Sequence, residues 1–392
     1  MNQRLARALH GVRLPTQTLA VRSAFGRTLA AQQVSRLDLP PFDKAAVDGY
    51  ALLADDVRPS YRLLGTVAAG QPNRHALVPG TAVKVMTGAP VPAGAGRVVM
   101  QEHAEERDGT VTLRRSDRAA NVCRAGEDVR QGDVIVRAGM RLGALEIANL
   151  VACGVSEVEV VRPVRLAIIS TGDELADRAD QLAPGKILDT NTPLLTALAQ
   201  AHGLETVSVA RVADDLEQTA QAIRAAVEAA DLVALSGGVS VGQFDYVRQA
   251  LADQGIRELF AGVAIKPGRP LTCAQTAAGK LVAALPGNPV AVYLTFHLCL
   301  LRAARLLSGE DPELRELELA LGQDFRRGKD GRQEYVPARL TGAGELVPVE
   351  LHGSAHLTAL LAADGFMVVP PGTATLAAGG KVRFLPLRGL DA

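Results

Sequence analysis

The stretch Leu235-Ser-Gly-Gly-Val-Ser-Val-Gly-Gln-Phe-Asp245 follows an apolar run, Leu232 to Leu235, that has the length and composition of a buried strand. Its three glycines permit a left-handed backbone and leave their N–H groups unshielded. A helix that begins near Tyr246 would direct its positive end at the same place. The stretch therefore predicts a strand, an anion-binding loop and a helix in succession, and the expected anion is a phosphate.

Asp245 at the end of this loop adds a second requirement. A carboxylate beside a phosphate repels it unless a divalent cation such as Mg²⁺ lies between them. A second interpretation is a tight strand-to-helix turn in which Asp245 caps the helix. On this stretch alone both interpretations stay open.

Strands and helices alternate on both sides of the glycine loop, which predicts βαβ units on a mostly parallel sheet. Before Val164 and after Pro312 the pattern changes to short strands, and helical spacing is expected at 17–33 and at Ala144 to Val151. The fold class is therefore multidomain α/β plus β. The expected strands of the central domain are Val164–Ser170, Glu205–Ala210, Leu232–Leu235 and Leu281–Leu285, and the expected helices are Thr192–His202, Leu216–Ala229, Tyr246–Asp253 and Pro289–Leu307.

Composition limits the class of partner. The chain has 392 residues, more than one core usually organises, and its 42 basic residues balance 42 acidic ones. This balance gives no general electrostatic reason for nucleic acid or membrane binding, so anion binding must be local. The N-terminus lacks the apolar core of a signal peptide, and the four cysteines lack CxxC spacing. We expect a cytoplasmic protein with reduced cysteines, no zinc site, no membrane span and no nucleic acid partner.

Ligands of open α/β sheets collect at the carboxyl ends of the strands, so the loops there are candidates for chemistry. Each loop alone has an ordinary explanation, because an Asp caps helices and Pro-Gly pairs form turns. Together the loops place carboxylates, two cations and many backbone amides at one edge, which indicates nucleotide or pterin phosphate chemistry with Mg²⁺. These loops are Ser170-Thr-Gly-Asp-Glu174, Asp214-Asp215, the glycine loop, Lys266-Pro-Gly-Arg269-Pro and Leu285-Pro-Gly-Asn288-Pro.

Further motifs make the chain recognisable. They are Pro40-Pro-Phe-Asp-Lys-Ala-Ala-Val-Asp48-Gly-Tyr-Ala, Met86-Thr87-Gly-Ala-Pro-Val-Pro, Gly126-Glu-Asp128-Val and Leu188-Asp-Thr-Asn191, beside the loops above. In this order they resemble the molybdopterin molybdenumtransferases, the family of MoeA and the E domain of gephyrin. The resemblance implies a homodimer that uses Mg²⁺ and molybdate to cleave adenylylated molybdopterin, with release of AMP.

The resemblance also implies a division of the chain into four parts. Residues 1–34 and 133–163 would form a discontinuous helical dimerisation region, and 35–132 an inserted β domain. Residues 164–312 would form the molybdopterin-binding α/β domain, and 313–392 a C-terminal β domain.

Site residues follow from the same resemblance. Glu174, Asp214 and Asp245 would hold Mg²⁺, and Lys266, Arg269 and Ser354 would act on molybdate or phosphate. Asp48, Thr87 and Asp128 would reach the cleft from the partner subunit. The backbone of two loops would bind the pterin phosphates, through Ser236, Gly237, Gly238, Ser240 and Gly242 in the first and Pro286, Gly287 and Asn288 in the second.

Three positions depart from the family pattern, and each loses a basic side chain. Cys123 stands where an Arg commonly precedes Gly-Glu-Asp, Gly262 stands where a Lys is frequent, and Pro337 stands in place of an Arg. Arg339 lies two residues from Pro337 on a predicted strand, so it can face the same side and supply the missing charge.

Two alternatives to molybdenum insertion follow from the sequence. An adenylyltransferase that makes the adenylylated substrate shares the central domain, but the flanking segments argue against it. A non-catalytic relative that binds pterin or chaperones a molybdoenzyme is supported by the three lost cations. A separate adenylyltransferase or a molybdoenzyme is a further possible partner of the chain.

Overall fold

The computed structural model describes residues 1–115, 119–237, 246–328, 331–353 and 355–387. The chain folds as two compact units. One comprises Met1–Gln17, Gly26–Ala30 and Val161–Ala392, and the other comprises Thr18–Phe25 and Ala31–Val160. The four-part division expected from the sequence stays a prediction.

The larger unit contains a mostly parallel central sheet, as the alternating sequence pattern predicts. Its first four strands in spatial order pair in parallel, and the last two are antiparallel. The described strands lie in the order Glu205–Val212, Arg165–Thr171, Leu232–Ser236, Leu281–Leu285, Thr272–Gln275 and Arg257–Ala261. All four predicted strands are confirmed to within two residues.

Helices cover both faces of the central sheet because successive side chains of a strand point to opposite faces. Leu166 and Ile168 pack on one face with the helices Asn191–Ala201 and Pro289–Thr295, whereas Ala167 and Ile169 pack on the other. The second face is covered by the helices Leu216–Ala229 and Tyr246–Asp253. The result is a three-layer α/β/α core, and the predicted helices are confirmed.

The last helix of the central domain runs from Pro289 to Ser308 in three segments. An α-helical turn, Pro289–Thr295, passes into the π-helix Phe296–Leu301 and then into the α-helix Arg302–Ser308. By length and composition this helix alone among the described residues is able to cross a bilayer. However, 83% of its apolar window is buried inside the protein, as expected of a core helix.

The helix predicted for 17–33 was wrong. Residues Thr16–Ala20 form a strand and Val21–Ser23 a single 3₁₀ turn, and Gly26 has φ +72°, a left-handed conformation that interrupts an α-helix. The N-terminal helix is instead Asn2–Leu9, and its buried side chains Leu5 and Leu9 belong to the core of the central domain.

The smaller unit is built on an antiparallel-rich sheet, which confirms the short β pattern after Asp38. Its helix, Ala144–Ala152, coincides with the predicted helical run and buries only Leu150 among its side chains. The sheet strands lie in the order Ala95–Met100, Gly49–Leu53, Thr81–Val85, Ser60–Val67, Thr110–Leu113 and Ala104–Arg107.

A third sheet follows Pro312, as the return to a period of two predicts. Its first strand, Ile265–Lys266, comes from the central domain and pairs in parallel with Gln333–Glu334. The strands lie in the order Ile265–Lys266, Gln333–Leu340, Gly365–Val369, Lys381–Pro386 and Leu317–Ala320, and Leu346–Pro348 also pairs with Gln333–Leu340.

Short strands complete the structure. They are Gln33–Val34 with Val134–Val136, Lys44–Ala45 with Val122–Cys123, Leu175–Ala176 with Ile187–Leu188, Phe325–Arg326 with Thr375–Leu376, and the strand Glu157–Val161.

Candidate active site

The carboxyl ends of three parallel strands meet at one edge of the central sheet. Ser170 is in register with Ser236, and Ser236 with Leu285, so the loops that follow these residues lie side by side. Gly237 has φ +96°, and a Cβ there would overlap the carbonyl oxygen of Thr171. Only glycine therefore permits this close approach of the two loops, which confirms the expected convergence at the sheet edge.

Asn191 joins the two loops by hydrogen bonds. Its Nδ2 donates to Ser236 Oγ at 2.8 Å and to the carbonyl oxygen of Gly287 at 2.6 Å. Asp189 fixes the start of the same helix, because its Oδ1 accepts from the backbone N–H of Thr192 at 3.0 Å. Asn191 lies in the motif Leu188-Asp-Thr-Asn191, but a site role could not be predicted for it, because the same residue types are common where a helix begins.

Lys266 and Arg269 approach this edge from the opposite side. Lys266 Nζ forms an ion pair with Glu334 Oε1 at 2.7 Å, and Glu334 also pairs with Arg327 at 3.4 Å. The side chain of Arg327 is 4% exposed and donates to the carbonyl oxygens of Thr373, Arg332 and Pro370. Glu334 therefore connects one accessible cation to one buried cation.

A cleft of about 970 Å³ lies between the central edge and the C-terminal sheet. Glu174, Gly237, Pro286, Gly287 and Asn288 line its central side. Among the charged residues that the structure describes in the rest of the lining, the acidic ones are Glu334 and Glu350, and the basic ones are more numerous, namely Lys266, Arg269, Arg326, Arg327 and Arg332. Because the formal charge of the whole chain is zero, this local excess of cations marks the cleft as a site for an anionic ligand.

Arg326, Arg327 and Arg332 were not predicted from the sequence, because they belong to no recognisable motif. Pro337 lines the cleft, whereas Arg339 is exposed and lies outside the lining. Arg339 shares the strand Gln333–Leu340 with Pro337 but is absent from the residues that line the cleft, so the expected compensation by Arg339 is not seen there. Arg332 is placed in the lining instead.

Gly262 is in a left-handed conformation with φ +71°, and its backbone N–H donates to Leu271. A lysine there would be strained. Cys123 is half-buried in the smaller unit, and burial raises the pKa of its thiol. The adjacent Arg124 pairs with Asp43 at 2.6 Å.

A smaller lobe of about 500 Å³ adjoins the cleft and shares Glu174, Ile187 and Gly237 with it. Its further walls contain Thr171 and Asn191 together with apolar residues of the loop between the first strand and the Asn191 helix. The edge of the sheet thus carries two compartments of different chemistry, one rich in cations and one rich in neutral and apolar groups.

The predicted Mg²⁺ ligands are described only in part. Glu174 lines both compartments, and the backbone N–H of Asp214 donates to Asp173 Oδ1 at 3.3 Å. Within the described ranges no group of three His, Cys, Asp or Glu side chains is close enough to hold a metal ion. Asp245 lies outside the described residues, as do Gly238, Ser240, Gly242 and Ser354. The two described carboxylates supply hard oxygen ligands of the kind that Mg²⁺ prefers.

Asp48 and Thr87, which are 39 residues apart, are brought together in the smaller unit. Asp48 Oδ1 accepts from the backbone N–H of Thr87 at 2.6 Å and from its hydroxyl at 2.8 Å. These two hydrogen bonds, the backbone one first, hold the pKa of the Asp48 carboxyl below its usual value. Asp128 is exposed in the same unit, and its backbone N–H donates to Leu39.

Comparison with known proteins covers nearly the whole chain. Residues 1–154 match the family model of the MoeA N-terminal region (domain I and II), and 167–306 match that of a probable molybdopterin binding domain. Residues 319–387 match the model of the MoeA C-terminal region (domain IV).

Individual relatives agree with the family models. A molybdopterin molybdenumtransferase from Staphylococcus epidermidis is 33% identical over 372 residues, which cover 92% of this chain and 88% of that protein. One from Staphylococcus aureus is 33% identical over 382 residues, covering 94% and 90%. The crystal structure of a molybdopterin biosynthesis MoeA protein from Pyrococcus horikoshii superposes with a TM-score of 0.85 at 28% identity, covering 98% of this chain and 99% of that one. The chain therefore belongs to the MoeA family of molybdopterin molybdenumtransferases.

Proposed function

We propose that this protein is the molybdenumtransferase of molybdenum cofactor biosynthesis that inserts molybdenum into adenylylated molybdopterin, with release of AMP. The cation-rich cleft beside the glycine loop is the observation that carries the proposal. The substrate is an anion with a pyrophosphate group, and molybdate is a second anion that must be brought close to the dithiolene sulfurs. Positioning and neutralisation of charge are what such a reaction requires from the protein.

The roles of the residues follow from their charge and position. Lys266, Arg269 and Arg332 hold the oxyanions, and the backbone amides of the glycine loop and of Gly287 hold phosphate. To Ser354, which lies outside the described residues, we assign a hydroxyl donor for molybdate on the family resemblance alone. Glu174, Asp214 and Asp245 would hold Mg²⁺, which acts as a template and Lewis acid on the pyrophosphate when it is bound. The loop residues assigned to the pterin phosphates are Ser236, Gly237, Gly238, Ser240, Gly242, Pro286 and Asn288. Pro286 has no N–H to donate, so its part is to fix the backbone of the loop.

The ion pair with Glu334 restrains the position of the Lys266 ammonium group in the cleft. An extended lysine held at one end by a buried carboxylate presents its charge at a constant place in the cleft. Because the Lys266 side chain remains 52% exposed, its remaining N–H groups stay available to an anion. We therefore assign to Lys266 the positioning of the oxyanion.

We propose further that the active protein is a homodimer in the cytoplasm. In the smaller unit Phe25 is 69% exposed and Leu145 81% exposed, and Met140 and Val151 are also exposed apolar side chains. Leu145 and Val151 belong to the helix Ala144–Ala152, and exposed large apolar side chains of this kind suit a subunit interface. Asp48, Thr87 and Asp128 would then reach the cleft of the partner subunit. All four cysteines are free, which suits a reducing compartment.

A non-catalytic relative remains the second candidate, and one observation favours it. Pro337 lines the cleft at a place where the family pattern has an arginine, so one cation of the oxyanion site is absent. A molybdopterin adenylyltransferase is the third candidate, since part of the chain matches a probable molybdopterin binding domain.

One experiment separates these candidates. The purified protein is incubated with adenylylated molybdopterin, Mg²⁺ and molybdate, and AMP and pterin-bound molybdenum are measured. We expect AMP release that depends on both molybdate and Mg²⁺. Formation of adenylylated molybdopterin from molybdopterin and ATP would identify the adenylyltransferase. Retention of the pterin without AMP release would identify the non-catalytic relative.

A further inference from the structure

The smaller lobe contains two buried polar atoms that have no hydrogen-bond partner among the described residues, Thr171 Oγ1 and Asn191 Oδ1. Across the described chain there are four such side-chain atoms, so half of them lie in this one lobe. A buried polar atom without a partner is costly and is therefore uncommon in folded proteins. Two of them in the lining of one lobe indicate groups that are reserved for a ligand.

The orientation of the Asn191 amide is determined by its neighbours. The carbonyl oxygen of Gly287 only accepts hydrogen bonds, so the amide nitrogen must face it and the amide oxygen must face away. Asn191 Oδ1 is therefore an acceptor without a donor. A phosphate has no hydrogen to offer it, whereas an N–H or O–H group of a ligand does.

The charged residues of the lobe make it less favourable for an anion than the cleft is. Its cation is Lys186, whose Nζ donates to the carbonyl oxygen of Asp173, and its carboxylates are Glu174 and Asp189. The apolar wall is formed by Leu175, Leu182, Ile187, Leu188 and Pro289. Apolar walls together with hydrogen-bond acceptors that lack a donor suit a flat, neutral heterocycle that carries N–H donors on its edge.

We propose that Thr171 and Asn191 bind the N–H edge of the substrate heterocycle, either the adenine or the pterin ring, while the neighbouring cleft binds the charged groups. The proposal rests on the proposed function, which supplies a substrate with both a pyrophosphate and two heterocycles. Thr171 Oγ1 accepts from or donates to the ring edge, and Asn191 Oδ1 accepts from it.

Thr171→Val tests this assignment because it removes a hydroxyl that the free protein does not use. Thr81→Val is the matched control. Thr81 is 4% exposed, as is Thr171, but its hydroxyl donates to the carbonyl oxygen of Val78 at 2.6 Å and accepts from the N–H of Val78 at 2.9 Å. Thr171→Ser retains the hydroxyl and serves as the conservative variant. The probes are AMP, 6-hydroxymethylpterin, inorganic pyrophosphate and Mg²⁺, with binding measured by calorimetry.

For Thr171→Val we expect roughly three- to tenfold weaker binding of AMP or of the pterin, the size of one lost hydrogen bond. The heterocycle that is affected identifies the ring bound in the lobe. Pyrophosphate and Mg²⁺ should bind as in the wild type, and the Tm of the free protein should not fall. Thr171→Ser should restore most of the affinity. Thr81→Val should lower the Tm without changing any binding constant.

Four results would overturn the proposal. These are a lower Tm for free Thr171→Val, unchanged binding of both heterocycles by this variant, a weakening confined to pyrophosphate or Mg²⁺, and no binding of either heterocycle to the wild type. The proposed function is judged separately by molybdate-dependent AMP release in the wild-type protein. If Thr171→Val still releases AMP and binds both heterocycles as the wild type does, the heterocycle assignment is rejected and the proposed function stands.

Discussion

Lys266 and Glu334 form a 2.7 Å ion pair between two sequence-distant strands, and both residues line the cleft. Glu334 is the more deeply buried of the two, with 12% of its side chain exposed against 52% for Lys266. Its second contact, with the buried guanidinium of Arg327, makes Glu334 important for stability, whereas Lys266 is important for the ligand.

This asymmetry predicts different effects for two substitutions. Glu334→Gln should lower the free energy of unfolding by about 1–3 kcal/mol, because the buried guanidinium of Arg327 loses a charged partner. Lys266→Ala should cost less than about 1 kcal/mol, since its pair is largely solvent-exposed at one end. Both should reduce the rate of AMP release. Urea unfolding and AMP assays measure the two quantities, and equal stability losses would contradict the assigned roles.

The close approach of Gly237 to Thr171 predicts a strong requirement for glycine. Gly237→Ala should destabilise the protein by more than about 3 kcal/mol, because the new Cβ adds an overlap with backbone to the strain of a left-handed residue. Gly255→Ala is the control, since Gly255 has φ +67° and no atom within 4 Å of a new Cβ. Gly255→Ala should lower the free energy of unfolding by about 1–2 kcal/mol. Similar thermal shifts for the two variants would argue against the close approach.

The cleft arginines predict which cations serve molybdate. Arg332→Ala should raise the molybdate concentration for half-maximal AMP release roughly three- to tenfold, and Pro337→Arg should lower it. Arg339→Ala should leave it unchanged, because that side chain lies outside the cleft. Titration of AMP release with molybdate checks all three variants. An effect of Arg339→Ala equal to that of Arg332→Ala would contradict the placement.

Loss of a proposed metal ligand should reduce turnover without unfolding the protein. Asp245→Asn is expected to lower AMP release at limiting Mg²⁺ by roughly ten- to a hundredfold. Asp253→Asn, on the exposed end of the following helix, is the control and should behave as the wild type. Activity of Asp245→Asn that matches the control at every Mg²⁺ concentration would dismiss the metal role.

The apolar surface of the smaller unit predicts a dimer that one charge disrupts. Leu145→Glu should give a monomer in sedimentation equilibrium, because it places a carboxylate in the proposed interface. Val57→Glu, at 83% exposure against 81% for Leu145, should remain dimeric. AMP release should fall only in the monomeric variant.

If each active site contains residues of both subunits, two inactive variants should complement each other in a heterodimer. Mixing Asp48→Ala with Asp245→Ala subunits should restore part of the activity, since one intact cleft forms in each heterodimer. Heterodimers that form without recovery would place Asp48 outside the partner's site.

The sequence predicted the central domain well because its signals are local. Apolar runs such as Leu232–Ser236 and periodic helices such as Leu216–Ala229 are specified by neighbouring residues alone. The helix predicted at 17–33 failed since glycine at 26 and β-branched residues outweighed an approximate helical spacing. Helical spacing of apolar residues is a weak predictor of a helix where no capping residues accompany it.

The loops of the site could be predicted from the sequence. The residues that reach the cleft from the C-terminal sheet could not. Gly237 and Lys266 lie in recognisable motifs, so their place at the sheet edge followed from the order of strands. Arg332 and Glu334 reach the cleft only through the pairing of Ile265–Lys266 with Gln333–Glu334. The sequence of either segment alone does not predict that these two strands pair.

The N-terminal helix has a consequence for synthesis of the chain. Leu5 and Leu9 are buried in the central core, and Arg4 Nη1 donates to the carbonyl oxygen of Leu259, 255 residues further on. At about 5–20 residues per second, the ribosome completes that partner roughly 13–50 s after the helix is made. During this interval the two leucines have no native core to enter. This helix thus reaches its final packing long after it is translated, and a chain that lacks it would leave the α/β core open.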